Sequence, residues 1–199
     1  MSRVTFTESD ATIAASWYHG ALMRKWFILV GAIIVTAVID QASKSWIVEN
    51  LELYQSVQPI PTLAPFFQLT RSSNTGAAFG ILPAAGNVFL LLAFLIIGIM
   101  LWHFRSAAPG ARFLPLATGI VIGGAIGNVI DRLQHGHVID FIHYQIPGLV
   151  SNVSNLADHA IVGGVLLIIS ESFLRERKLK AERAAETENA DSGTDRSRE

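Results

Sequence analysis

The chain has 199 residues, 51% hydrophobic and 16% charged, with a formal net charge of −1 and no cysteine. Soluble domains carry about 25% charged residues, so this composition reads as a membrane protein. It excludes disulfides, cysteine-ligated metals and a thiol nucleophile, while a net charge so near zero marks no partner and no nucleic acid is expected.

Four apolar segments, at about residues 26–47, 85–103, 113–133 and 156–174, each approach the roughly 20 residues needed to cross about 30 Å of hydrocarbon. Residues 1–25 precede them as a polar cytoplasmic extension. The run that follows is long and lacks a small-x-small exit, so it is not a cleaved signal peptide. Near the far end of span one, Asp40 and Lys44 stand four apart, the favourable helical order for an ion pair, and read as structural. In the loop that follows, residues 59–67 are apolar enough to skirt the membrane surface. The stretch Asn74-Thr75-Gly76-Ala77-Ala78-Phe79-Gly80-Ile81 reads as a glycine-permitted turn able to take an extended peptide by strand addition.

Span three holds Gly119, Gly123, Gly124 and Gly127, two overlapping GxxxG patterns that let helices approach closely. Asn128, Asp131 and Arg132 follow. Asn128 and Arg132 share a face and read as donors to a substrate backbone, Asp131 as an ion-pair partner. Beyond lies Asp140, inside the apolar run Val138-Ile139-Asp140-Phe141-Ile142. Asp158 opens span four in Asn155-Leu156-Ala157-Asp158. Residues 175–199 are a charged cytoplasmic tail, whose first part (175–185) can continue the helix and whose remainder is expected to be disordered.

Basic residues set the orientation. Arg3, Arg24 and Lys25 precede span one, Arg105 and Arg112 lie between spans two and three, and seven follow span four. The other loops contribute only Arg71 and, at an edge, Arg132. Both termini are therefore expected in the cytoplasm, and the aspartates of the membrane region toward the outer rim.

A carboxylate at a bilayer edge is costly and by default functional. Asp140 and Asp158 are 18 residues apart, about 27 Å on one helix, but Pro147-Gly148 makes a continuous helix implausible. A fold-back would bring the two acids together to share one proton, the chemistry of an aspartic peptidase. The plainer alternative leaves each as a loop or capping residue, with Asn155 or Asp158 capping span four. His135, His137, His143 and His159 crowd the same region, but their spacing matches no HExxH or HxxxH zinc arrangement, and no metal is expected.

Five blocks in order resemble one family, the lipoprotein signal peptidases (signal peptidase II). They are Asp40…Lys44, Asn74-Thr-Gly-Ala-Ala-Phe-Gly80, Gly123-Gly-Ala-Ile-Gly-Asn-Val-Ile-Asp-Arg132, Val138-Ile-Asp-Phe141 and Asn155-Leu-Ala-Asp158. The resemblance spans residues 26–174 as one peptidase domain. It implies a mainly α membrane protein with four spans, plus a small β element and a short helix on the outer face. It also implies an aspartic endopeptidase of the bacterial inner membrane that removes the signal peptide of diacylglyceryl-modified prolipoproteins just before the lipid-bearing cysteine. The dyad falls on Asp140 and Asp158, and supporting polar residues on Asn74, Gly76, Asn128, Arg132 and Asn155. Asp40, Lys44 and Asp131 remain structural. The chain departs at Ser154, where Phe is usual, and at His159, where a small residue is frequent. With water as nucleophile no cofactor is required, and the expected partners are the prolipoprotein substrate and membrane lipids, with the enzyme a monomer. The rival readings are a metal-dependent membrane hydrolase and a proton-coupled transporter using Asp40, Asp131 and Asp158.

Overall fold

The structure, a computed structural model, describes residues 8–64, 66–76, 85–106 and 113–195. In chain order these form α1 (Glu8–Asn50), β1 (Ser56–Val57), a 3₁₀ turn (Pro61–Leu63), β2 (Phe67–Asn74), α2 (Ala85–Ser106), α3 (Leu114–His135), β3 (Val138–Ile146), β4 (Val150–Ser154) and α4 (Leu156–Asp195). Among the described residues four helices are long and apolar enough to cross a membrane. The four strands make one antiparallel sheet in the order β1-β2-β3-β4.

The helices divide by what surrounds them. In α3, 72% of the most apolar window is buried within the protein, against 6% in α1 and α2, so α3 is the hub and the others turn their apolar faces outward. Its glycines explain how. A Cβ on Gly119 would lie 2.6 Å from that of Ala32, one on Gly123 would lie 2.7 Å from that of Thr36, and one on Gly127 would strike the Asp40 carboxyl. Both helices thus step by four residues along a shared seam, in the same direction. On another side, Gly124 meets the Ala157 carbonyl, and Gly164 of α4 meets Val121 and the Ala117 carbonyl, so α4 runs antiparallel to α3. At such seams backbone approach replaces side-chain packing.

The sheet sits over the end of α1. Ile47 and Leu51 pack with Phe141 and Ile142, joined by Val57, Phe67, Leu69 and Leu156. Arg71 fastens it, donating from Nη1 to the carbonyls of Val48 (3.1 Å), in the last turn of α1, and Leu51 (2.9 Å), just beyond it. Between Leu69 and Ser72 the β2–β3 register slips, a bulge that sets Ser72 opposite Asp140. Gly136, at φ 75°, ends α3 with its N–H on the Arg132 carbonyl, and β3 follows at once. The expected fold-back is the β3–β4 hairpin, turning through Pro147 and a left-handed Gly148 (φ 77°).

α1 begins at Glu8 and α4 runs to Asp195, so residues 25 and 174 fall inside continuous helices. Residues 175–185, expected to continue the last helix, lie in α4 and carry i,i+4 ion pairs of Lys180 with Glu176 (2.6 Å) and Lys178 with Glu182 (3.7 Å). The helix then extends to Asp195, through residues expected to be disordered. Asp140 lies within strand β3. Residues 77–81 of the proposed peptide-accepting turn lie outside the described residues.

Candidate active site

α3 ends one turn from the sheet, and α4 starts where the sheet stops, so three elements bring their polar groups to one place. Asn155 is the joint. It follows β4 and caps α4, its Oδ1 accepting the Asp158 N–H at 2.9 Å. Its Nδ2 donates to Asp140 Oδ1 at 2.6 Å. One fully buried amide therefore fixes the strand carrying one acid to the helix carrying the other.

Each acid has a second amide partner. Asn74, at the end of β2 and two residues along the register from Asp140's partner, donates to Asp140 Oδ2 at 2.8 Å. Its own Oδ1 accepts the Gly76 N–H at 2.8 Å, closing a turn at a left-handed glycine (φ 75°). Asn128 of α3 donates to Asp158 Oδ1 at 2.8 Å. Its Oδ1 accepts from Lys44 Nζ (3.1 Å) and Asn155 Nδ2 (3.3 Å). Both ends of the Asn128 amide are thus engaged within the protein, one of them on Asp158.

Asp140 is 2% exposed. Burial pushes its pKa up to about 6, the neighbouring Asp158 charge adds to the rise, and the hydrogen bonds from Asn74 and Asn155 oppose it. An acid so placed holds a proton where an ordinary aspartate has lost it.

Beneath the acids lies a second polar cluster. Lys44 Nζ stands 2.7 Å from Asp40 Oδ2 and 2.8 Å from Asp131 Oδ2, all three side chains being about 1% exposed. Asp131 also accepts the Ile139 N–H (3.1 Å) and the Gln41 amide (2.8 Å), tying α3 to β3 and α1. Asp40 Oδ1 accepts the Ala157 N–H at 2.9 Å, so α1 holds the first turn of the helix that presents Asp158.

Arg132 donates to the Asn128 carbonyl (3.3 Å), and its guanidinium lies 5.2 Å from the centre of the Phe89 ring of α2. Its buried Nε meets no acceptor among the described residues. The same ring stands where a Cβ on Gly76 would have to go, so Phe89 backs both the Asn74 turn and Arg132. Sequence reasoning missed Phe89 and Gln41. An aromatic in an apolar span looks like a lipid-facing residue, and a glutamine beside Asp40 carries no spacing signal.

The four histidines do not act together. His143 bonds Gln68 (2.9 Å), Thr70 (3.0 Å) and Ser151 (2.8 Å), His159 bonds the Asn155 carbonyl (2.6 Å), and His135 stacks near His137. Among the described residues no three His, Asp or Glu side chains converge as a metal site.

With this geometry in place, likeness to known proteins is informative. A family model described as signal peptidase (SPase) II matches residues 32–174. The lipoprotein signal peptidase of Shewanella loihica is 38% identical over 175 residues, covering 86% of this chain and 98% of that protein. The one of Xanthomonas axonopodis pv. citri is 42% identical over 144 residues, covering 70% and 81%. A solved structure described as a bacterial membrane enzyme, determined by the in meso method at 2.3 Å resolution, superposes with a TM-score of 0.63 at 30% identity, covering 74% of this chain and 88% of that one.

Proposed function

Because the chain belongs to the signal peptidase II family and is thus a peptidase that removes signal peptides from prolipoproteins, we propose that Asp140 and Asp158 are its catalytic pair. The observation that carries this is the Asn155 amide, which bonds one acid through its side chain and the backbone of the other. Gly76, Asn74, Asn128, Arg132 and Asn155 support the pair, while Asp40, Lys44 and Asp131 are structural.

Two neighbouring carboxyls share one proton, and the buried Asp140 is its holder. Asp158 keeps one oxygen on Asn128 and uses the other to take a proton from water. That water attacks the scissile carbonyl, and the Asp140 proton passes to the carbonyl oxygen. The tetrahedral intermediate then collapses, the proton gained by Asp158 leaves with the amine, and Asp140 recovers its own. Water is the nucleophile, so no acyl-enzyme forms and no cofactor enters any step.

The substrate is a prolipoprotein bearing a diacylglyceryl group on the cysteine after the scissile bond. The enzyme sits as a monomer in the inner membrane among its lipids, with both termini cytoplasmic and the acids toward the periplasm. The distribution of Lys and Arg supports that orientation, and the directions of α1, α3 and α4 along their glycine seams are consistent with both termini lying on one side. Residues 26–174 are the peptidase domain, flanked by an N-terminal extension and a charged tail. The test is direct. Purified Asp140→Asn and Asp158→Asn remain folded and fail to cleave a diacylated prolipoprotein; turnover by either removes the assignment.

A further inference from the structure

A groove of about 490 Å³ opens beside Asp158, between β4 and the first turns of α4. Its lining changes character along its length. At the mouth stand Asn152 and Ser154 of β4 with Asp158 and His159, the last fixed by its Nδ1–H on the Asn155 carbonyl at 2.6 Å. Farther along, the wall is Val162, Gly163 and Leu166. Asp158, Val162 and Leu166 recur every four residues and so stack on one face of the helix. Val162 and Leu166 are exposed on the membrane-crossing part of α4. Gly163 would have no atom within 4 Å of an added Cβ, so the space beside it is open.

We infer that this groove seats an acyl chain of the substrate's lipid, with the glyceryl head at the polar mouth and the chain running along Val162, Gly163 and Leu166. The inference rests on the reading of Asp140 and Asp158 as the catalytic pair and on a diacylated substrate. A lipid joined to the residue beside the scissile bond must leave Asp158 within a few bonds, and the groove leads from that carboxyl along a membrane-facing helix. Its volume lies in the range of small-molecule sites. The bilayer already surrounds the chain with hydrocarbon, so transfer into the groove brings no hydrophobic gain of its own. The effect is on alignment: a seated chain fixes how deep the scissile carbonyl lies against the acids.

An added Cβ at Gly163 meets nothing within 4 Å, so Gly163→Phe extends a ring into the groove and Gly163→Leu fills it less completely. Two substrates of one peptide sequence, dipalmitoyl and diacetyl, are compared on wild type and both variants. The ratio of kcat for dipalmitoyl over diacetyl is expected to fall about tenfold in Gly163→Phe and less in Gly163→Leu, with melting temperatures held. An equal loss on both substrates, as when the signal peptide itself fills the groove, overturns the inference, and so does no loss. A diazirine on the acyl chain, photolysed in the Asp140→Asn enzyme, should label the segment from Val162 to Leu166; labelling confined to other helices also overturns it. Failure of the catalytic assignment appears separately, as turnover by Asp140→Asn.

Discussion

Two aspartate pairs in this protein are linked through Asn128, and they differ in their counter-charge. Asp40 and Asp131 share the ammonium of Lys44 at 2.7 and 2.8 Å, whereas Asp140 and Asp158 are held by the neutral amides of Asn74, Asn128 and Asn155. A cation held between two acids ties α1 to α3 and makes them scaffold. Amides orient acids without settling their charge, leaving a proton free to move. On the proposed assignment the same side chain is structure in one layer and chemistry in the next.

The contrast breaks most violently at Lys44. Lys44→Met leaves two buried carboxylates unpaired, and loss of one partner of a buried ion pair costs about 3–5 kcal/mol. Little folded protein should survive, measured as monodisperse yield and melting temperature in detergent. A variant melting with the wild type would make the cluster dispensable.

The amide-held pair should behave in the opposite sense. The folded-state pKa of Asp140, about 6, lies above the ordinary 3.8, so the native state binds its proton more tightly. Stability from that proton is whole below pH 3.8 and is lost as pH climbs through 6. Asp140→Asn never ionises, so it should gain on the wild type between pH 4 and pH 7 by on the order of 3 kcal/mol. Parallel melting curves across that range would refute this.

A smaller effect sharpens the role of the amides. The basic limb of kcat/KM reports loss of the shared proton in the free enzyme and should fall near pH 6. Asn74→Ala removes a hydrogen bond that favours the ionised acid, moving the limb upward by about one pH unit. An unmoved limb would detach Asn74 from the acid. The smallest effect concerns Phe89, where Leu keeps apolar bulk but loses the ring under Arg132. A cation–π contact of about 1 kcal/mol predicts a roughly fivefold fall in kcat, recovered by Phe89→Tyr.

Much of this arrangement was legible in the residues themselves. Ala32, Thr36 and Asp40 step by four, as do Gly119, Gly123 and Gly127, and the two series meet pairwise. Asp40 and Lys44 read as an intrahelical ion pair, Asp131 separately as an ion-pair partner, and Pro147-Gly148 as the reversal between the acids. Other features depend on contacts between distant elements. Gln41 reaches Asp131 across 90 residues of sequence, Phe89 serves α3 and a loop from a helix that is otherwise lipid-facing, and the two ends of Asn128 were indistinguishable until their partners stood beside them. The end of α4 beyond residue 185 escaped because its polarity and low hydrophobicity resemble disorder.

Asp40 gives the comparison its last turn. Buried ion pairs elsewhere are often exchangeable for apolar side chains of similar volume, with stability kept or raised. Here one oxygen of Asp40 answers Lys44 while the other grips the N–H of Ala157, the residue before Asp158. An apolar Asp40-Lys44-Asp131 layer would leave the opening turn of α4 untethered however well it packed. Robustness and reactivity in this molecule therefore trade through a single carboxyl group, and an engineer seeking a tougher enzyme would find the obvious site already spoken for.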